Sequence, residues 1–79
     1  MSIKSYLAHP HVGKKEELID ALSSIKQCEI TPAQNKDILI LITETKDTTE
    51  ETILKEKLDS IKSLKLLAMV SGFNTPQNN

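Results

Sequence analysis

The stretch ILILIT, residues 38–43, decides the fold expected for this chain. Its first five residues are all large aliphatic ones, so a strand formed from them is apolar on both faces. That pattern is typical of a strand in the interior of a sheet. The residues just before it, QNKD at positions 34–37, favour a turn. We therefore predict a central β-strand over residues 38–43.

The sequence after this strand favours a helix and then a final strand. Asp47 and the two threonines that follow it can each cap a helix, and Thr48-x-x-Glu51 has the spacing of a capping box. The helix should bury one apolar stripe with i, i+4, i+7 spacing, formed by Leu54, Leu58 and Ile61. Residues 66–70, LLAMV, predict the last strand.

The first half of the chain shows the same order of elements. Residues 3–8, IKSYLA, predict a strand that stops at Pro10. Residues 14–26 predict an amphipathic helix with its apolar stripe at Leu18, Leu22 and Ile25. A second strand is expected over residues 28–31. Since Pro32 ends it and proline cannot donate a ladder hydrogen bond, this strand should lie at a sheet edge.

The two helical stripes match at a constant offset, because Leu18 corresponds to Leu54 (54 − 18 = 36) and Leu22 to Leu58. The chain is therefore interpreted as a doubled βαβ unit. A β-α-β-β-α-β order with right-handed crossovers is the ferredoxin-like split βαβ plait, an α+β fold. We expect a four-stranded antiparallel sheet with two helices on one face, formed by residues 1–73. The polar tail, residues 74–79, is expected to be disordered.

Helices cover only one face of such a sheet, so the other face is the candidate interaction surface. Transferring the 36-residue offset to the strands places Ile3, Ser5 and Leu7 on the covered face with Leu39 and Leu41. The candidate peptide-binding residues on the uncovered face are then Tyr6, Ala8, Ile38, Ile40, Ile42 and Glu44. An apolar patch of this kind marks an interaction surface. Closure of the patch by homodimerisation or by the C-terminal tail is the alternative.

Composition narrows the classes of function. The chain has 79 residues, a formal charge of −1 and no arginine. It therefore lacks the basic surface of nucleic-acid-binding proteins and the guanidinium groups that grip phosphate. Its longest apolar run, residues 38–42, is about a quarter of the roughly 20 residues of a membrane helix. A domain of this size has little room for a catalytic cavity, which favours a binding module over an enzyme.

Cysteine and histidine are the two residue types that might carry chemistry. The single cysteine, Cys28, cannot form an internal disulfide, which favours a reducing, cytoplasmic compartment. Its neighbour Glu29 disfavours the thiolate that a nucleophile needs. His9 and His11 flank Pro10, but a metal site requires three or four ligands. We predict neither a catalytic residue nor a metal site.

Several short sequence segments also follow one another along the chain in a characteristic order. These pieces are Ser5 in the first strand, the Leu18-x-x-x-Leu22 helix, CEI at 28–30, LILITE at 39–44 followed by Asp47, and LLAM at 66–69 with Phe73. In order, spacing and length they resemble the NapD family, the small cytoplasmic chaperones of the periplasmic nitrate reductase. The resemblance spans residues 3–73.

The resemblance implies a ferredoxin-like protein without catalytic residues or a cofactor of its own. It implies binding to the twin-arginine signal peptide of the nitrate reductase catalytic subunit. This would delay export of the precursor while its molybdenum cofactor is inserted. The alternative class is a small-ligand-binding regulatory plait domain that acts as a homodimer.

Overall fold

The computed structural model describes residues 2–70, which form one antiparallel sheet of four strands and two α-helices. The elements along the chain are β1 (Ser2–Pro10), α1 (Lys15–Ser23), β2 (Cys28–Pro32), β3 (Leu39–Thr45), α2 (Thr48–Asp59) and β4 (Leu64–Met69). The strand order is β2-β3-β1-β4. This arrangement confirms the predicted ferredoxin-like plait. The predicted disordered tail, residues 74–79, lies outside the described residues, as do residues 71–73.

The central position of β3 is confirmed, since it pairs with β1 on one side and with β2 on the other. Its odd-numbered residues are buried, and Leu39 and Leu41 are completely inaccessible to solvent. The strand begins one residue later and ends two residues later than predicted, and next to its start the Ala33 N–H donates a hydrogen bond to the Ile38 carbonyl at 3.0 Å. The β2 strand ends at Pro32 and forms an edge of the sheet, as predicted.

The core lies between the helices and one face of the sheet. Its fully or nearly buried apolar residues are Tyr6, Ala8, Leu18, Leu22, Ile25, Leu39, Leu41, Leu54 and Leu58. Each predicted helical stripe therefore contributes two buried leucines. The α1 helix is shorter than predicted and ends at Ser23, where the Ser24 hydroxyl donates to the Ala21 carbonyl at 2.8 Å.

The start of α2 differs by one residue from the predicted capping box. Asp47 is the N-cap, and its side chain accepts a hydrogen bond from the Glu50 N–H at 2.8 Å. Glu50 in turn accepts a hydrogen bond from the Lys46 N–H at 2.6 Å. The box expected at Thr48 and Glu51 is thus wrong. The carboxylate of Glu51 instead forms an ion pair with Lys4 on β1.

The predicted orientation of β1 is also wrong. Tyr6 lies opposite Leu41 and Ala8 lies opposite Leu39, and residues directly opposite across two strands share a face. Tyr6 and Ala8 are therefore buried beneath the helices, with 7% and 0% of their surface exposed. Buried positions have even numbers on β1 and odd numbers on β3. The 36-residue offset matches residues of the same parity, such as Ile3 with Leu39. Because side chains alternate between the two faces with a period of two, an even offset therefore assigns β1 to the wrong face.

Candidate functional site

The face of the sheet opposite the helices is the candidate functional site, and we call it the open face. The strand register identifies the residues that share it. These are Ile3, Ser5, Leu7 and His9 on β1, Glu29 and Thr31 on β2, Ile40, Ile42 and Glu44 on β3, and Leu66 and Ala68 on β4. Both helices pack on the other side of the sheet, so within residues 2–70 no helix covers the open face.

The middle of the open face is apolar. Leu7 lies opposite Ile40 on one side and Ala68 on the other, and all three are half-buried. Towards opposite ends of the face, Ile3 and Leu66 are 59% and 54% exposed. Partly exposed aliphatic side chains that share one face of a small domain indicate a surface that another molecule covers.

The structure brings together only part of the predicted site. Ile40, Ile42 and Glu44 lie on the open face, as predicted. Ile38 stands just outside β3 and is half-buried. The predicted placement of Tyr6 and Ala8 on this face is wrong, because both lie in the core beneath the helices.

The sequence-based prediction missed eight of the eleven open-face residues, among them Glu29 and the large aliphatic residues Ile3, Leu7 and Leu66. Ile3 and Leu7 alternate visibly along the first strand, but they were placed on the opposite face. Leu66 was included in the last strand without a face, and its pairing with His9 places it on the open face.

The end of the open face where β3 stops is acidic. A groove of about 460 Å³ lies there, with Ile3, Ile42, Glu29 and Glu44 among its walls. Glu50 also lines this groove, but its carboxylate is already hydrogen-bonded within the protein. Its carboxylate accepts hydrogen bonds from the Gln27 side chain at 2.8 Å and from a backbone N–H, and these bonds hold its pKa below the usual value. Glu29 and Glu44 therefore place two carboxylates at one end of a surface whose middle is apolar.

A second groove, of about 570 Å³, lies on the covered side between α2 and β4. Its walls include Tyr6, Leu58 and Met69, and Met69 is 58% exposed. The ion pair between Lys4 and Glu51 borders it, and the hydrogen bond within that pair raises the pKa of Lys4. Burial raises the pKa of the Tyr6 hydroxyl. This groove combines apolar walls with two charges of each sign, those of Lys4 and Lys55 and those of Glu51 and Glu56.

His9 and His11 line neither groove, whereas Cys28 lines the groove at the acidic end of the open face. His9 is on β1 opposite Leu66. His11 follows the strand, and its backbone N–H donates a hydrogen bond to the Ser63 carbonyl at 3.0 Å. No group of three or more metal-binding side chains occurs within residues 2–70. Cys28 packs half-buried against the core, and burial raises the pKa of its thiol to about 11.

We expect Cys28 to be alkylated slowly in the folded protein. An unperturbed thiol has a pKa of about 8.5, so its thiolate is on the order of 100-fold more abundant at neutral pH than that of Cys28. The alkylation rate should rise about tenfold per pH unit up to a pH near 11. The measurement is the iodoacetamide reaction at constant ionic strength, with the urea-unfolded chain as control. Equal rates for the two states at pH 7 would contradict the burial of the thiol.

Comparison of the chain with protein-family models, with curated proteins and with solved structures finds no match. Within residues 2–70, no helix combines the length and the apolar character that crossing a membrane requires.

Proposed function

We propose that this protein is a cytoplasmic chaperone that binds the twin-arginine signal peptide of the nitrate reductase catalytic subunit. Binding would delay export of the precursor during insertion of the molybdenum cofactor. The observation that carries the proposal is the open face, an apolar sheet surface with carboxylates at one end. The resemblance of residues 3–73 to the NapD family supports the same partner.

The dimensions of the open face suit a single helix. Strands rise about 3.3 Å per residue, so the six steps from Ile3 to His9 along β1 span about 20 Å. Four strands about 4.8 Å apart make a surface about 14 Å wide, and an α-helix with its side chains is about 10–12 Å across. An apolar helix of about 13 residues has the same 20 Å length.

The chemistry of the face suits a signal peptide in particular. Signal peptides join a positively charged segment to an apolar segment of about 7–15 residues. The open face has the complementary properties, since Leu7, Ile40 and Ile42 form an apolar surface that ends at Glu29 and Glu44. An amphipathic helix that lays its apolar side on such a surface is an established mode of peptide recognition.

The groove between α2 and β4 favours a second candidate function. Its volume of about 570 Å³ lies within the range of small-molecule pockets, about 300–1,000 Å³. A regulatory domain that binds a small ligand there and dimerises through its open face would use both surfaces. The two functions make different predictions for the same substitution on the open face.

We expect the substitution Ile40→Glu to weaken binding of a twin-arginine signal peptide by about 30-fold or more. The new carboxylate stays hydrated in the free protein and becomes buried against apolar side chains only in the complex. The measurement is isothermal titration calorimetry with a synthetic peptide. The same peptide with both arginines replaced by glutamine should bind the unaltered protein more weakly.

Ile53→Glu is the matched control. Ile53 is 56% exposed on α2, on the side of the domain away from the open face, so this variant should bind the peptide normally. Equal weakening by both substitutions would exclude the open face as the site. Absence of peptide binding, together with a dimer that Ile40→Glu dissociates in sedimentation equilibrium, would favour the regulatory domain.

A further inference from the structure

The charges of the open face are not distributed evenly along it. Glu29 lies opposite Ile42, and Glu44 follows Ile42 by two residues on the same face. The two carboxylates are therefore diagonal neighbours, about 7–8 Å apart between their backbones. The body of the face carries no charged side chain, and His9 with Leu66 marks its other end.

The carboxylates of Glu29 and Glu44 are available to a partner. The ion pairs within residues 2–70 join Lys4 to Glu51 and Lys14 to Glu17, and none involves these two glutamates. Both glutamates are exposed. Two like charges side by side repel each other, and a cation placed between them relieves that repulsion.

Two lysines also line the groove at the acidic end of the open face. Lys26 and Lys46 line it together with three carboxylates, so the groove has a net charge of −1. Both lysine charges act on Glu50, where they contribute to its lowered pKa. The carboxylates that face the apolar surface are those of Glu29 and Glu44. Of the five charged residues that line the groove, only Glu29 and Glu44 belong to the strands of the open face.

We propose that the open face binds its peptide in one orientation. The cationic end of the peptide lies at Glu29 and Glu44, and the apolar segment runs along β3 and β1 towards His9 and Leu66. This inference rests on the proposed function and adds the direction of the bound peptide, which fixes which end of the precursor emerges at each end of the sheet.

The reverse orientation is disfavoured by the loss of charge pairing. It would place the apolar end of the peptide beside two hydrated carboxylates and the two cations some 20 Å away from them. Exposed ion pairs contribute about 0.2–1 kcal/mol each, so two pairs correspond to a preference of about 2- to 30-fold. The preference should decrease with salt, because the pairs are exposed.

Paramagnetic broadening of amide signals tests the direction. A twin-arginine peptide carries a nitroxide beside its arginines in one sample and at the end of its apolar segment in another. With ¹⁵N-labelled protein, the first label should broaden the amides of Glu29 and Glu44, and the second those of His9 and Leu66. The reverse pattern, or equal broadening at both ends, would overturn the orientation and leave the proposed function standing.

Charge-neutral variants give an independent readout. Combined Glu29→Gln and Glu44→Gln substitutions should reduce affinity by about 2- to 30-fold and make both labels broaden both ends. The matched control, Glu16→Gln with Asp59→Asn, removes the same charge from the exposed surfaces of the helices and should change neither. Unchanged affinity in the first variant would overturn the inference. Failure of the unaltered protein to bind either labelled peptide would instead overturn the proposed function.

Discussion

Replacing Leu41 by glutamate is expected to unfold the domain, whereas the same substitution at the adjacent Ile40 leaves it folded. Leu41 is completely buried beneath the helices, opposite Tyr6. Truncation of a buried leucine alone costs about 2–5 kcal/mol, and a carboxylate in its place adds the cost of burying a charge. Single domains are stable by only about 5–15 kcal/mol, and one this small lies near the lower limit.

Far-UV circular dichroism and a thermal melt of each variant measure this difference. The Ile40→Glu variant should keep the unaltered spectrum and a cooperative transition, because the open face leaves the new carboxylate hydrated. If Ile40→Glu unfolds the protein and Leu41→Glu does not, the two faces of β3 are exchanged, as a one-residue register error would cause. The result also establishes that the binding defect of Ile40→Glu is measured on folded protein.

The second large effect is expected at Tyr6. Truncation of a buried aromatic residue to alanine costs about 3–5 kcal/mol, and Tyr6 is only 7% exposed. Leu7→Ala should cost less, about 1–2 kcal/mol, because Leu7 is half-buried on the open face. Urea unfolding of both variants, analysed with a common slope, gives the two free energies.

Tyr6→Phe is the control for this comparison. It keeps the ring in the core and removes only the hydroxyl, so most of the stability should remain. A larger loss for Leu7→Ala than for Tyr6→Ala would restore the orientation of β1 that the sequence alone suggests, with Leu7 beneath the helices.

The elements that sequence reasoning predicted correctly are those whose signal is local. The aliphatic run at 38–42 indicates a central strand by its composition alone, and Pro32 indicates an edge by its missing N–H. The buried leucines of α1 and α2 follow from the helical period within each segment. These features require no knowledge of which residues meet in space.

The features that escaped prediction depend on pairing between distant segments. On β1, Ile3 and Leu7 are more hydrophobic than Ala8, so the composition favours burying the wrong set. Which side of β1 is buried depends instead on its register with β3, which places Ala8 opposite the buried Leu39. The ion pair between Lys4 and Glu51 spans 47 positions and has no local signature. The β3 residues of the candidate site were predicted on the correct face, whereas its β1, β2 and β4 residues required the register.

The place of β1 within the sheet has a consequence for biosynthesis. Of the four strands, β1 is synthesised before the others, yet it lies between β3 and β4. Its residue Tyr6 pairs with Met69 across 63 positions of sequence (69 − 6 = 63). Pairings over such separations form slowly, because a long loop must close before any contact is gained. In a nascent chain in which β4 (Leu64–Met69) has not yet been synthesised, one side of β1 has no partner strand. Stalled or truncated chains therefore expose an unpaired strand edge, which is a template for aggregation.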